Sequence, residues 1–158
     1  MYQAFVFVIL CGLVLAATSR VDEQRAAAVE PSASALAQDF SVYRTAVIRY
    51  VQTHPDPGFA GSVPNANLPA VGVYVPNPRW SNYVNGSTVV VYAPSVPVPN
   101  FVGPLEEIAQ DSVFAGAVYN GTVVASPTAT MPSGVALPAA VTSAAPNGAP
   151  VWEALDVF

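Results

Sequence analysis

The sequence predicts an α+β protein: an N-terminal transmembrane helix, then an amphipathic helix packed on a small antiparallel β-sheet. Three observations predict it. Residues 2–18 carry no charge, apolar residues recur at helical spacing over 32–54, and two Asn-Gly dipeptides each stand between short runs of β-forming residues. The organisation implied is a membrane anchor over 1–18, a juxtamembrane stalk over 19–31 and one soluble α+β domain over 32–158, long enough for a single modest core.

The run YQAFVFVILCGLVLAAT spans about 25 Å as a helix, at the short end for a bilayer crossing. A cleaved signal peptide is the rival, with a cut after Ala16, but nothing except the terminal amine is positive before Arg20, so the usual basic leader is missing. Lipidation at Cys11 is disfavoured by the bulk of Leu10 before it. Arg20 and Arg25 are balanced by Asp22 and Glu23, which leaves the positive-inside rule little to count. An exported C-terminal domain is therefore inferred only from the anchor's signal-like position.

Leu36, Phe40, Tyr43, Val47 and Tyr50 alternate in steps of four and three, joined by Val51, and so form one stripe along a helix. The stripe serves either as core against a sheet or as a contact for an assembly partner. Gln38, Ser41, Arg44, Thr45 and Arg49 fall away from it and are expected to face water. Pro31 with Ser32 supplies the start signal, and Pro55 and Pro57 the stop.

After the helix, PDPGFAGSVPNANLPAVG reads as an ordered surface loop with Phe59, Val63 and Leu68 tucked inward. Two hairpins follow, 80–84 with 87–92 around Asn85-Gly86, and 115–119 with 122–125 around Asn120-Gly121, both expected to turn through the positive φ angles of type I′. Between them the prolines of PSVPVPN give way to a short helix from Pro104 to about Gln110, with Glu106 and Glu107 expected in its first turn, where the helix dipole favours anions. Toward the C-terminus 135–137, 141–143 and 151–155 read as short edge or closing strands, limited by Pro138, Pro146 and Pro150.

Composition narrows the function. Hydrophobic residues make up 53% and charged residues only 9%, so the surface is poor in charge and suited to protein contacts. There is no lysine, and all five arginines lie at or before Arg79, which argues against nucleic acid as a partner because phosphate neutralisation needs clustered cations. Cys11 is the single cysteine, so neither an intrachain disulfide nor a thiolate metal site is available. His54, the single histidine, stands at a helix end, where it is expected to cap carbonyls rather than abstract a proton. Glu106 and Glu107 diverge by about 100° on a helix and cannot address one substrate as an acid and base pair. No nucleotide-binding glycine loop is present, no metal or cofactor is expected, and the chain is read as a non-enzyme.

Several features together resemble a known family: the apolar run; DFSVYRTAVIRYV with Phe40, Tyr43, Arg44 and Val47; GSVPNANLP at 61–69; Trp80 and Asn82 before a hairpin reaching Val91 and Tyr92; and the glycines Gly116 and Gly121. They are similar to the small PilM-type proteins of the thin-pilus (type IVb) operons of conjugative plasmids, which share only a name with the actin-like, ATP-binding PilM. The resemblance implies an inner-membrane protein of the pilin transport apparatus or basal body, with the membrane and other pilus assembly proteins as partners, self-association open, and no catalytic residues. The rival from another class is a pilin or minor pilin subunit. Prepilin cleavage at Gly12 would place Ala17 at the fifth mature position, where pilins characteristically carry a glutamate.

Overall fold

The computed structural model describes residues 31–69, 74–125 and 134–158. The expected anchor and almost all of the expected stalk lie outside them. Among the described residues no helix is long and apolar enough to cross a membrane. Ala33–Phe158 form one compact unit.

Helix α1, Ala33–Thr53, runs within a residue or so of the span its periodicity predicts. It buries Leu36, Ala37, Phe40, Tyr43, Ala46, Val47 and Val51. The buried stripe is wider than the large apolar residues alone indicate, because Ala37 and Ala46 let the helix approach closely. Among the described residues seven strands make one antiparallel sheet: β1 Ala60–Gly61, β2 Ser81–Asn85, β3 Thr88–Tyr92, β4 Ala115–Tyr119, β5 Thr122–Val124, β6 Val135–Ala136 and β7 Pro150–Ala154. Their spatial order is β1-β2-β3-β7-β4-β5-β6. Helices α2, Val102–Ile108, and α3, Ala139–Ala144, complete the fold.

The last strand is a correction to the sequence reading. Rather than closing an edge, β7 lies in the middle of the sheet, pairing Val91 and Ala115 on either side of Trp152. All five of its residues are buried. Pro150 is tolerated because it occupies the first position, where its carbonyl still accepts from Ala93 N at 3.0 Å and its missing N–H is not required. A second correction concerns 141–143, which is helical rather than extended. Ala139, Ala140 and Ala144 favour the helix and Pro138 stands at its N-cap, outweighing the β-branched Val141 and Thr142.

Helix α2 begins at Val102, two residues before Pro104, and has no acid in its first turn. Glu106 and Glu107 thus lie beyond the first turn, where the helix dipole was expected to favour them, and Glu106 is buried. Asn100 Oδ1 accepts from Val102 N at 3.0 Å at the start of the helix. In the loop after α1, Val63 and Leu68 are buried as expected, but Phe59 is 36% exposed. The hairpins are real and turn differently. Tyr119 pairs Thr122 across Asn120-Gly121, with φ of 48° and 77°, the two positive values of a type I′ turn. Asn85 pairs Thr88, so the first loop is Gly86-Ser87 and only Gly86 is positive at 55°.

Packing occurs on both faces. On one, α1 and α2 cover Val84, Val89, Val91, Ala115, Trp152 and Ala154. On the other, α3 and its flanks place Leu137, Val141, Ala145 and Ala149 against Val90, Tyr92, Val118, Val123 and Val151.

Candidate functional site

Of the predicted stripe, Leu36, Phe40, Tyr43 and Val47 are buried in the core, whereas Tyr50 is half-buried and lines a surface cavity at the end of α1. Phe40 is held by two aromatic rings, with Trp80 edge-on at 5.2 Å and Phe101 tilted at 5.6 Å. Three such rings at these spacings add edge-to-face attraction to their large buried area.

Two polar clusters fasten the long loop to α1. In the first, Asn82 Nδ2 donates to Tyr43 Oη at 2.8 Å and to Val63 O at 2.9 Å, while Asn82 Oδ1 accepts from Val63 N at 2.7 Å. Tyr43 Oη in turn donates to Asn65 Oδ1 at 2.9 Å. Asn82 is thus fully satisfied although buried, and it stands in for a missing strand neighbour by offering amide geometry to the Val63 backbone. Burial raises the pKa of the Tyr43 phenol, opposed by the Asn82 hydrogen bond and reinforced by Tyr92, so the hydroxyl stays protonated and able to donate. In the second cluster Asp39 Oδ2 accepts from Asn77 Nδ2 and from Trp80 Nε1, each at 2.7 Å. Sequence reading singled out Trp80 and Asn82 but missed Asp39 and Asn77. The detectable signal is the position of Asp39, next to Phe40 and so on the margin of the buried stripe.

Arg44 does not simply face water. Its guanidinium lies 4.3 Å from the Trp152 ring centroid, its Nε is buried without a hydrogen-bond partner, and burial lowers its pKa to about 10. The ring face partly compensates the cation for lost hydration. On the opposite face Glu153 is 6% exposed with Oε2 unpartnered, and burial raises its pKa above the ordinary carboxylate value.

His54 behaves as a capping residue. Its Nδ1 lies 3.1 Å from Tyr50 O and 3.0 Å from Thr53 Oγ1, and the ring stacks on Tyr50 at 4.5 Å. The cavity beside it, about 130 Å³, is lined by Tyr50, Val51, His54, Asp56, Phe59, Val63, Val84 and Gly86. A shallower, wider groove runs between Arg79 and the proline segment, lined by Pro94, Val96, Pro97 and Val98. Among the described residues no group of three His, Cys, Asp or Glu side chains is placed to hold a metal ion.

The geometry describes an α+β module whose polar side chains mostly hold its own loops in place and whose recesses are apolar-walled. The PilM family model matches residues 6–153, and the chain belongs to that family of conjugative pilus proteins, a family of plasmid-type pilus biogenesis. Phe40, Tyr43, Trp80 and Asn82, quoted above for the resemblance, are the residues that join helix, loop and sheet. No curated protein matches the chain, and no solved structure does.

Proposed function

We propose that the protein is a non-enzymatic, membrane-anchored component of a thin-pilus assembly or pilin transport apparatus, acting by protein–protein contacts. Its place is the bacterial inner membrane, with one pass and the C-terminal domain in the periplasm. The observation that supports this reading best is the reach of the family match, which begins at residue 6 inside the uncharged run and continues to residue 153 through the central strand β7. The apolar run and the α+β domain therefore belong to one family pattern. Its partners are the membrane and other pilus assembly proteins, with self-association open and no part for nucleic acid or a cofactor. Deleting the gene from a host that carries the pilus operon should abolish thin pili while pilin is still made and processed, and the protein should fractionate with the inner membrane at its full mass. Pili of normal number and function in the deletion strain would refute the assembly role.

One observation favours a second reading. A 21-residue helix laid on an antiparallel sheet is also the arrangement of pilins. Loss of residues 1–12 from the intact mass, together with recovery of the protein in sheared pili, would favour a fibre subunit.

A further inference from the structure

We infer that the cavity at the C-terminal end of α1 is a docking socket for one aromatic side chain of a partner protein, presented beside a basic residue. The inference rests on the protein-contact reading above and gives that contact a location.

The socket is built by three separate pieces of chain. The last turn of α1 contributes Tyr50, Val51 and His54, the following loop Asp56, Phe59 and Val63, and the first hairpin Val84 and Gly86. It is fastened from within: Gly86 N donates to Phe59 O at 2.8 Å, His54 stacks on Tyr50, and Asp56 Oδ1 accepts from Gly58 N at 3.0 Å. The walls are therefore preformed, which lowers the entropy that an incoming group must lose. A Cβ on Gly86 would stand a tight 3.1 Å from Pro57 O, and its φ of 55° suits glycine. The backbone itself thus forms part of the wall.

Size and charge select the occupant. A volume of about 130 Å³ is close to that of an apolar cavity, about 150 Å³, that accommodates benzene. That is room for one aromatic ring. Phe59 in the wall is 36% exposed, and the C-terminal segment runs beside the socket, where the Val157 N–H donates to Ser87 O next to Gly86. Asp56 is the acid in the wall, and Asp156 lies in the adjacent C-terminal segment. The nearest arginine on the helix, Arg49, precedes Tyr50 by one residue and Val51 by two, so it projects about 100° and 200° around the helix from those wall residues. A partner segment bearing Lys or Arg next to its aromatic residue matches that charge. The socket stands about 30 Å along the helix from Ala33, at its C-terminal end.

His54, as the single histidine, provides an isolated reporter. The full chain in lipid nanodiscs, carrying 13C at the histidine Cε1, is titrated with acetyl-Lys-Phe-Lys-amide, acetyl-Lys-Ala-Lys-amide and acetyl-Glu-Phe-Glu-amide. The first should give a saturable shift of the His54 signal, the second none, and the third an affinity about tenfold weaker. Asp56→Asn, which keeps an acceptor for Gly58 N, should remove the preference for lysine but keep the need for phenylalanine. Phe59→Ala should weaken both Phe peptides. Equal shifts with the Ala peptide, or no shift with any peptide, overturn the inference. Phe59→Ala and Asp56→Asn together should also lower pilus number in a complemented deletion strain. Normal piliation by that variant, when the deletion itself abolishes pili, refutes the socket and leaves the assembly role standing, whereas a deletion strain with normal pili refutes the assembly role whatever the peptides do.

Discussion

The two faces of the sheet solve the same problem with unequal means. One is covered by a 21-residue helix that brings Phe40 into a three-ring cluster with Trp80 and Phe101, plus a buried network through Tyr43 and Asn82. The other is covered by six residues of α3 and their flanks, and its packed side chains are mainly Val, Leu and Ala against Tyr92. Stability should therefore be concentrated on the α1 face. Each face also holds one buried polar atom without a hydrogen-bond partner, Arg44 Nε against Trp152 on the α1 face and Glu153 Oε2 on the other.

Four measurements can break or sharpen that contrast. Phe40→Ala should cost about 3–5 kcal/mol in equilibrium denaturation, because it removes a large buried ring and leaves a cavity among fixed aromatic neighbours. Tyr43→Phe should cost about 1–3 kcal/mol, since Asn82 and Asn65 lose a partner while the ring remains. On the other face Val141→Ala should cost less than Phe40→Ala, about 1–2 kcal/mol. An equal loss at Val141 would abolish the asymmetry.

The fourth measurement uses pH. Burial holds the Glu153 carboxyl above its ordinary value of about 4.3, so the protonated form suits the folded state better than the charged form. Its stabilising contribution is complete below that value and is lost as pH rises through the folded pKa. Glu153→Gln should accordingly remove a decline in stability on going upward from about pH 4, read as a flatter profile of denaturation midpoints against pH. A smaller contrast separates the hairpins: Asn120→Ala should cost about 1 kcal/mol because Asn120 sits at φ 48°, and Asn85→Ala should change stability by under about 0.5 kcal/mol because Asn85 is in an extended strand.

That last contrast shows how much of the fold was legible. The helix over 33–53 was readable because its buried face repeats at the helical period, and both hairpins because β-formers flank an Asn-Gly pair. The same dipeptide was nevertheless used in two ways. Asn85 pairs Ala60 of β1 on one side and Thr88 on the other, so it is held extended and the turn moves to Gly86-Ser87. Asn120 has no such second strand and keeps the expected turn, its N–H accepted by Asn147 Oδ1 at 3.0 Å. Gly116, known from sequence only as a resemblance position, proves to be a close approach, because a Cβ there would collide with the Val124 carbonyl. The socket at the end of α1 was not readable at all, since Gly86 and Val84 are distant in sequence from Tyr50 and Phe59 and meet them only when the hairpin docks beside the helix.

Periodicity and turn chemistry are local properties, and by themselves they determined the existence of the helix, the number of hairpins and the apolar character of the run over 2–18. The sequence also excluded lysine chemistry and thiol pairing in the domain outright, because the residues are not there. Tertiary structure alone decided that 150–154 enters the middle of the sheet, that Arg44 rests on Trp152, and that Phe59 lines a recess instead of filling the core. Each of those outcomes depends on which distant surface a segment meets, and burial on a second face is a free energy that no local pattern encodes.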